Sequence, residues 1–279
     1  MKNQMKLFGF FLVFLCMMFV VQEVFAQFSS IEEENMIVIT KSQEMSKVIF
    51  DGKWSFKTEW KESSWKLVQA NESTVFHLRA AHQGNFIYFH LNVTPDTKAD
   101  FDIDKSIICI DTKNNKSEFL DDDDYCFVVR LQESGFFENL FGEMNSEVLQ
   151  AKASAKTFDE LEQIISKEFI GIGTMSDEQD RYSSTPHATY EFKIPTDLVG
   201  RSDNYGILFL VFDSYTNSTY SWPENPEFTI NEIPSPTKWG NMISPDKSLP
   251  EFNIPMLIIL SSIVTITIIS RLKLSHISR

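Results

Sequence analysis

The carboxylates are the residues in this chain best placed to do chemistry. Asp100, Asp102 and Asp104 alternate, as side chains on one face of a strand do, and Asp121, Asp122, Asp123 and Asp124 form an unbroken run. Hard oxygen ligands at that density suit Ca²⁺, while a solvated acidic surface is the plainer reading of both groups. The first group is not an EF-hand loop, because Lys105 stands where its glycine is needed and Asp111 where its final Glu is needed. Tryptophans are the second candidate. The stretch "DGKWSFKTEWKESSW" (51–65) holds Trp54, Trp60 and Trp65, three of the five in the chain. Rings that dense either hold a core together or offer flat apolar faces to a ligand. His77, His82, His90 and His187 follow no metal-ligand spacing, and no Cys-x-x-Cys-His attachment motif is present. Met144 and Met175 carry no mark of an axial ligand. Gly-x-Ser-x-Gly is absent, and "GIGTMS" (171–176) lacks the third glycine of a dinucleotide loop. Carboxylate pairs are too abundant to single out a glycosidase pair, so no enzyme is expected.

The elements that must position these residues read as mostly β. "MIVIT", "KVIF", "TVFHLRA", "NFIYFHLNV", "SIICID", "DYCFVVRL", "ATYEFKI", "YGILFLVFD" and "EFTINEI" are short runs rich in Ile, Val, Phe, Tyr and Thr, separated by polar turn clusters. "AHQGN" links two alternating runs as a hairpin, with its turn at Gly84 and Asn85. One amphipathic helix is expected after a Thr157–Glu160 capping box, with Phe158, Leu161, Ile164, Ile165 and Phe169 forming its apolar stripe. Many short strands with turns between them predict two packed sheets, and the expected fold is a β-sandwich. Cys109 and Cys126 sit in two runs joined by an acidic turn. Folding the chain back between them sets the two cysteines opposite one another as a disulfide worth about 3 kcal/mol.

The ends place the chain at a membrane. Residues 1–26 read as a signal peptide: Lys2 and Lys6, an apolar run, then Val24-Phe25-Ala26 before the cut. Residues 254–270 are uncharged and apolar, just long enough to cross a bilayer, and the 271–279 tail carries Arg271, Lys273 and Arg279 on the expected cytoplasmic side. Between them lie an exported domain over 27–232 and a Pro/Ser-containing stalk over 233–253. The chain carries 25 Lys+Arg and 39 Asp+Glu. Five of those cations (Lys2, Lys6, Arg271, Lys273, Arg279) and two of those anions (Glu23, Glu251) lie at the ends, leaving 20 against 37 and a net charge of −17. Such a surface repels phosphate backbones and excludes a nucleic-acid partner. Asn71, Asn92, Asn115 and Asn217 head Asn-x-Ser/Thr sequons, which are glycosylation candidates outside the cytoplasm.

Two resemblances add to this reading. "SLPEFNIP", then an apolar helix, then "RLK", resembles the PEF-CTERM type of archaeal C-terminal sorting signal through Pro250, Glu251 and Phe252, with Asn253 where the close variant has Gly. That resemblance implies cleavage of the tail and transfer to a lipid or surface anchor. In order, "DGKWSFKTEW", "FIYFHLNV", "DFDIDKSIICIDT", "DDDDYCFVV", "ATYEFKIP" and "YGILFLVFD" resemble the landmarks of the family 9 carbohydrate-binding module and the wider DOMON-like sandwiches, over about 51–213. The resemblance implies a jelly-roll-like sandwich that binds without catalysis. Some relatives hold sugar ends between tryptophans, often with structural calcium; others hold haem b through Met, Lys or His.

For a sugar, an exposed ring must lie beside carboxylate or amide groups. Trp54, Trp65, Trp222 and Tyr220 are the candidates, with Trp222 favoured because "NSTYSWPENP" reads as a loop. For calcium the candidates are Asp102, Asp104 and Asp121 to Asp124. The resemblance makes Trp60 a plug of the sandwich and Asp51-Gly52 its entry turn. The expected partner is a glycan or envelope component. A structural envelope protein without a small ligand and a haem-binding accessory domain are the alternatives.

Overall fold

Period-two alternation over much of the chain produces fourteen strands among the residues that the computed structural model describes, 35–69, 75–133, 146–152, 154–224 and 232–245. In chain order they are β1 (Met36–Val38), β2 (Thr40–Lys41), β3 (Ser64–Gln69), β4 (Val75–Gln83), β5 (Phe86–Val93), β6 (Lys105–Asp111) and β7 (Asp124–Arg130). There follow β8 (Ser146–Gln150), β9 (Glu162–Ile164), β10 (Ile170–Met175), β11 (Ala188–Pro195), β12 (Asn204–Asp213), β13 (Ser218–Trp222) and β14 (Gly240–Ile243). One short helix, α1 (Thr196–Val199), follows β11. The signal segment 1–26, Asn71, Met144, the sorting motif Pro250–Glu251–Phe252, the apolar run 254–270 and the tail 271–279 lie outside the described residues. Among those described, no helix is long and apolar enough to cross a membrane.

The strands form two sheets, as expected of a sandwich. The first runs β1-β14-β12-β6-β7-β8-β9, with β13 beside the second half of β12; the second runs β10-β11-β5-β4-β2, with β3 beside β4. Inward residues interdigitate between them. Phe76, Leu78, Phe89, Leu91, Tyr190 and Phe192 of the second sheet meet Ile108, Phe127, Ile207 and Phe209 of the first. Phe89 and Phe209 touch edge to face at 5.5 Å between centroids. β12 lies centrally, between β6 on one side and β13 and β14 on the other, and its interior is buried on both faces. That explains its nearly continuous apolar sequence. The outer face of the first sheet is also apolar. Ile107, Cys109, Val128, Leu208 and Leu210 are covered by Leu120, Ala155, Ile233 and Trp239 from the connecting segments. Cys109 and Cys126 are cross-strand partners on that face and are joined as a disulfide.

Two local expectations change and one holds. The capping box makes a single 3-10 turn, Phe158–Glu160, in which Glu160 Oε2 accepts the Thr157 N–H, and no helix follows. The chain spends its next amides on the edge of β8, with Ile164 opposite Val148, so the supposed stripe splits: Phe169 enters the core and Ile165 stands 93% exposed. "KVIF" is a connecting segment lying over the outer face of the second sheet. The hairpin forms at Gly84 and Asn85, where Gly84 adopts a φ of +59°.

Candidate functional site

The outer face of the second sheet is polar and yet buried. In register across β4, β5 and β11 lie two rows: Arg79, His90 and Glu191, then His77, Asn92 and Thr189. Two segments cover them, 51–63 and 177–187. Both were part of long loops in the sequence, so the composition of this layer comes from the sheet and its geometry from the cover.

The first segment is held by Glu191. Its Oε2 accepts Gly52 N–H at 2.8 Å and Asp51 N–H at 3.1 Å, and its Oε1 accepts the Trp60 indole N–H at 3.0 Å. Gly52 has a φ of +76°, and a Cβ there would lie 2.6 Å from Thr174 Cγ2, so only glycine fits this turn. Trp60 is fully buried and stacks on His90 at 5.3 Å with planes 25° apart. Trp54 meets the same imidazole edge to face. Burial pushes Glu191 well above the usual carboxylate range against the pull of its donors, and it drives His90 down to about 3, leaving a neutral imidazole. The Asp51-Gly52 turn forms as expected; Trp60 is buried, but under the cover on the outer face of the second sheet rather than inside the sandwich.

The second segment supplies a residue that sequence reasoning missed. Tyr182 stacks on His77 at 3.8 Å, with planes 12° apart, and its hydroxyl accepts from Arg79 Nε at 2.8 Å. The segment is tied down beneath. Asn92 donates to Asp180 and accepts from His187, whose other ring nitrogen meets Ser176 Oγ at 3.0 Å. On the neighbouring edge strand β3, Trp65 donates its indole N–H to His77 Nδ1 at 3.4 Å. Trp65 and His77 have centroids 6.2 Å apart and planes within 15°, which together with the edge contact sets the rings side by side. Trp65 is 52% exposed, and Leu67, on the same face of β3, is exposed too. Burial holds His77 below the usual histidine range, partly offset by Asp180, and the unprotonated Nδ1 is what the Trp65 bond requires. The same chemistry that drew attention to Trp222, a ring in a polar loop, could have drawn it to Tyr182.

The other candidates separate. Trp54 is half-buried, with the guanidinium carbons of Arg79 and Arg181 at 5.4 and 5.2 Å from its ring centroid, so its ring is already flanked by cations. Trp222 is a correction. It is on strand β13 opposite Phe209, only 4% exposed, and packs into the inter-sheet core, so it presents no platform. Tyr220 is half-buried against Phe76. Asn92 is also corrected as a glycosylation candidate: it is fully buried and both amide atoms are engaged. Asn115 and Asn217 are exposed.

The aspartates do not converge on one ion. Asp104 precedes β6 and accepts from Asp100 N–H and Ser214 N–H, while Asp102 is exposed; Asp121 to Asp124 lie at the opposite end of the β6–β7 pair. The seven residues of β6 separate the two groups by about 20 Å, so they cannot share a cation. Two sets of carboxylates do approach within 4.8 Å: Asp111, Asp123 and Asp124, all buried, and the same buried Asp123 with the half-buried Asp121 and the exposed Asp122. At the other end, burial and then Asp104 and Asp213 push Asp96 up to about 7.

The fold and this surface define a two-sheet β-sandwich carrying a half-exposed Trp65 beside the half-buried His77–Tyr182 stack and the buried polar groups of β4, β5 and β11. Among solved structures, a carbohydrate binding module family 9 (CBM9) from Caldicellulosiruptor kristjanssonii in complex with cellotriose is similar at 13% identity and a TM-score of 0.47, over 79% of this chain and 98% of that one. A CBM9 from the same organism in complex with glucose is similar at 13% identity and a TM-score of 0.47, over 75% and 95%. No family model and no curated protein matches the chain.

Proposed function

We propose that this chain is a non-catalytic, surface-anchored binding protein that takes up carbohydrate on the outer face of its second sheet. The observation that carries the reading is Trp65: a half-exposed indole lying side by side with His77, next to a tyrosine stacked on that imidazole. A pyranose packs its C–H face on such a ring and bonds its hydroxyls to groups at the rim. Arg181, exposed beside Trp54, and the Tyr182 hydroxyl supply the polar groups near the strip. A flat, half-open strip suits the side of a glycan chain such as an envelope polymer. The exported location, the membrane anchor and processing near Pro250–Phe252 belong to the same proposal and rest on the sequence of the two ends.

The test is a glycan array with the purified chain and its Trp65→Ala and Tyr182→Ala variants. Binding that is lost in both variants, with unchanged circular dichroism, supports the reading. Silence of the unaltered chain across the array, with and without Ca²⁺, sinks it. The second reading, an envelope protein that packs against neighbours without a small ligand, is favoured by the burial of Trp222.

A further inference from the structure

Two arginines meet one indole beside Tyr182. Arg79 of β4 and Arg181 of the 177–187 cover each set a guanidinium over the ring of Trp54, at 5.4 and 5.2 Å from its centroid. The described residues include only two other arginines, and both are answered: Arg130 pairs with Glu147, and Arg201 donates to the Gly84–Asn85 turn. Arg79 and Arg181 have no carboxylate at ion-pair distance among the described residues. This happens in a chain with 39 Asp+Glu against 25 Lys+Arg, where a counter-ion is easily supplied.

The carboxylates of the two cover segments and of Glu191 are spent elsewhere. Asp180, next to Arg181 in sequence, turns its side chain inward to 1% exposure and accepts from Asn92 and from the Tyr182 amide. Glu59 accepts the Ile49 and Ser55 amides, and Asp51 accepts the Lys53 amide and the Ser55 hydroxyl. Glu191 is held by the Asp51 and Gly52 amides and the Trp60 indole. Arg79 is only 9% exposed, and a cation so enclosed is costly without an anion beside it. The Trp54 face offsets part of that cost, but a guanidinium over a ring still points its N–H edges away from the ring. Arg79 spends Nε on the Tyr182 hydroxyl at 2.8 Å and Nη1 on the Ser63 carbonyl at 3.2 Å. Its Nη2 donates to no described residue and is not sealed from solvent. Arg181 is exposed outright.

We infer that the glycan taken up on Trp65 is an acidic one, whose carboxylate or sulfate group is held by Arg181 and the outer edge of Arg79. The inference rests on the carbohydrate reading and narrows its ligand. Trp65 and Arg79 are cross-strand partners on one face of the β3–β4 pair, so their Cβ atoms lie about 5 Å apart and a sugar packed on the indole sits beside the guanidinium. Tyr182 closes the group, with its ring on His77 and its hydroxyl on Arg79. A guanidinium fork offers two parallel N–H groups to two oxygens of one anion, and such charge-assisted bonds are about twice as strong as those a neutral hydroxyl makes. A neutral sugar leaves both cations unanswered. The net charge of the chain, −14, repels a polyanion at long range, so binding of one must come from local groups.

The experiment is calorimetric titration of the full-length chain with two matched pairs of polymers. One pair is polygalacturonate and the same polymer with its carboxyls reduced to alcohols; the other is dextran sulfate and dextran. The acidic member of at least one pair should bind at least about tenfold more tightly than its neutral partner, and added NaCl should weaken it. The pair that shows the preference says whether the anion is carboxylate or sulfate. Arg181→Gln, at an exposed position, should remove most of that preference and leave the neutral polymer's affinity unchanged. Trp65→Ala should weaken both members of the pair together. Lys152→Gln takes an equal charge from an exposed position just past β8, on the first sheet, and should bind as the unaltered chain does. No preference in either pair overturns the inference, as does a preference that Arg181→Gln leaves intact or that Lys152→Gln reduces equally. Hits on a glycan array confined to neutral sugars also overturn it while the carbohydrate reading stands; silence across array and polymers sinks both.

Discussion

Replacing Glu191 with Gln exchanges one carboxylate oxygen for an NH2 group in a fully buried position, and the structure says what that should cost. All three partners of Glu191 are donors: the Asp51 and Gly52 amides on Oε2 and the Trp60 indole on Oε1. A carboxyl group accepts on both oxygens whether or not it is ionised; the amide nitrogen of Gln accepts on neither side. The best orientation keeps the amide oxygen on the Asp51–Gly52 turn and sets NH2 against the Trp60 N–H. One bond is lost and one buried donor is stranded, a cost of about 1–3 kcal/mol. Glu191→Ala strands all three donors and should cost about 3–5 kcal/mol. The diagnostic quantity is the coupling. Trp60→Phe removes the opposing N–H, so Glu191→Gln should cost about 1–2 kcal/mol less in that background than in the unaltered chain. Urea unfolding followed by circular dichroism measures all four corners of the cycle. A cost of Glu191→Gln that is unchanged by Trp60→Phe would refute the assignment of Glu191 as the clasp between sheet and cover.

The remaining predictions are shorter. Gly52→Ala meets both a φ of +76° and a Cβ contact at 2.6 Å, and should destabilise by about 2–4 kcal/mol in the same assay. Trp65→Ala should abolish glycan binding while moving the urea midpoint little, because the ring is half exposed. Acidification should weaken the same binding, since protonating His77 removes the acceptor of the Trp65 N–H; affinity electrophoresis across pH reads this. Asp96 has its folded pKa raised from 3.8 to about 7, so the folded state keeps a proton that the unfolded state has lost. Its contribution is fully present at acid pH and is lost as pH rises through about 7, at roughly 1 kcal/mol per pH unit; Asp96→Asn should flatten that slope in pH-dependent unfolding.

The strands legible in advance were those whose side chains answer to one sheet and one core. β4, β5, β6, β7, β11 and β12 announce themselves by alternation or by unbroken apolar character, and the Cys109–Cys126 pairing follows from the register of two of them. The strands that escaped are those stabilised by position. β9 has three residues, two of them exposed, and exists because the edge of β8 offers it partners. β10 is "IGIGTM", where glycines weaken the pattern; a Cβ at Gly173 would lie 2.7 Å from Arg130 O and from Tyr190 Cδ1, so close packing dictates its composition. The helix expected over 157–169 failed for the same reason: a correct local signal, Thr157 with Glu160, began a turn that tertiary pairing then redirected.

The site was legible in its residue types and illegible in their exposure. Trp54, Trp60, Trp65 and Trp222 all satisfy the chemical requirement for a platform, and nothing local distinguishes them. What distinguishes them is neighbours distant in sequence. Trp60 is sealed by Glu191, 131 residues away, and Trp222 by pairing with Phe209 across a hairpin that its polar flanks concealed. Trp65 stays open because β3 pairs with β4 alone among the described strands, leaving its ring at an edge where only His77 and, over it, Tyr182 stand beside it. The same logic holds on the first sheet. A run of four aspartates drew attention to Asp121–Asp124, yet only Asp124 among them keeps a buried carboxylate oxygen without a hydrogen-bond partner, because it alone sits in the β6–β7 ladder, opposite Asp111. Density of a residue type locates a segment; the pairing of strands decides which member of it meets a ligand.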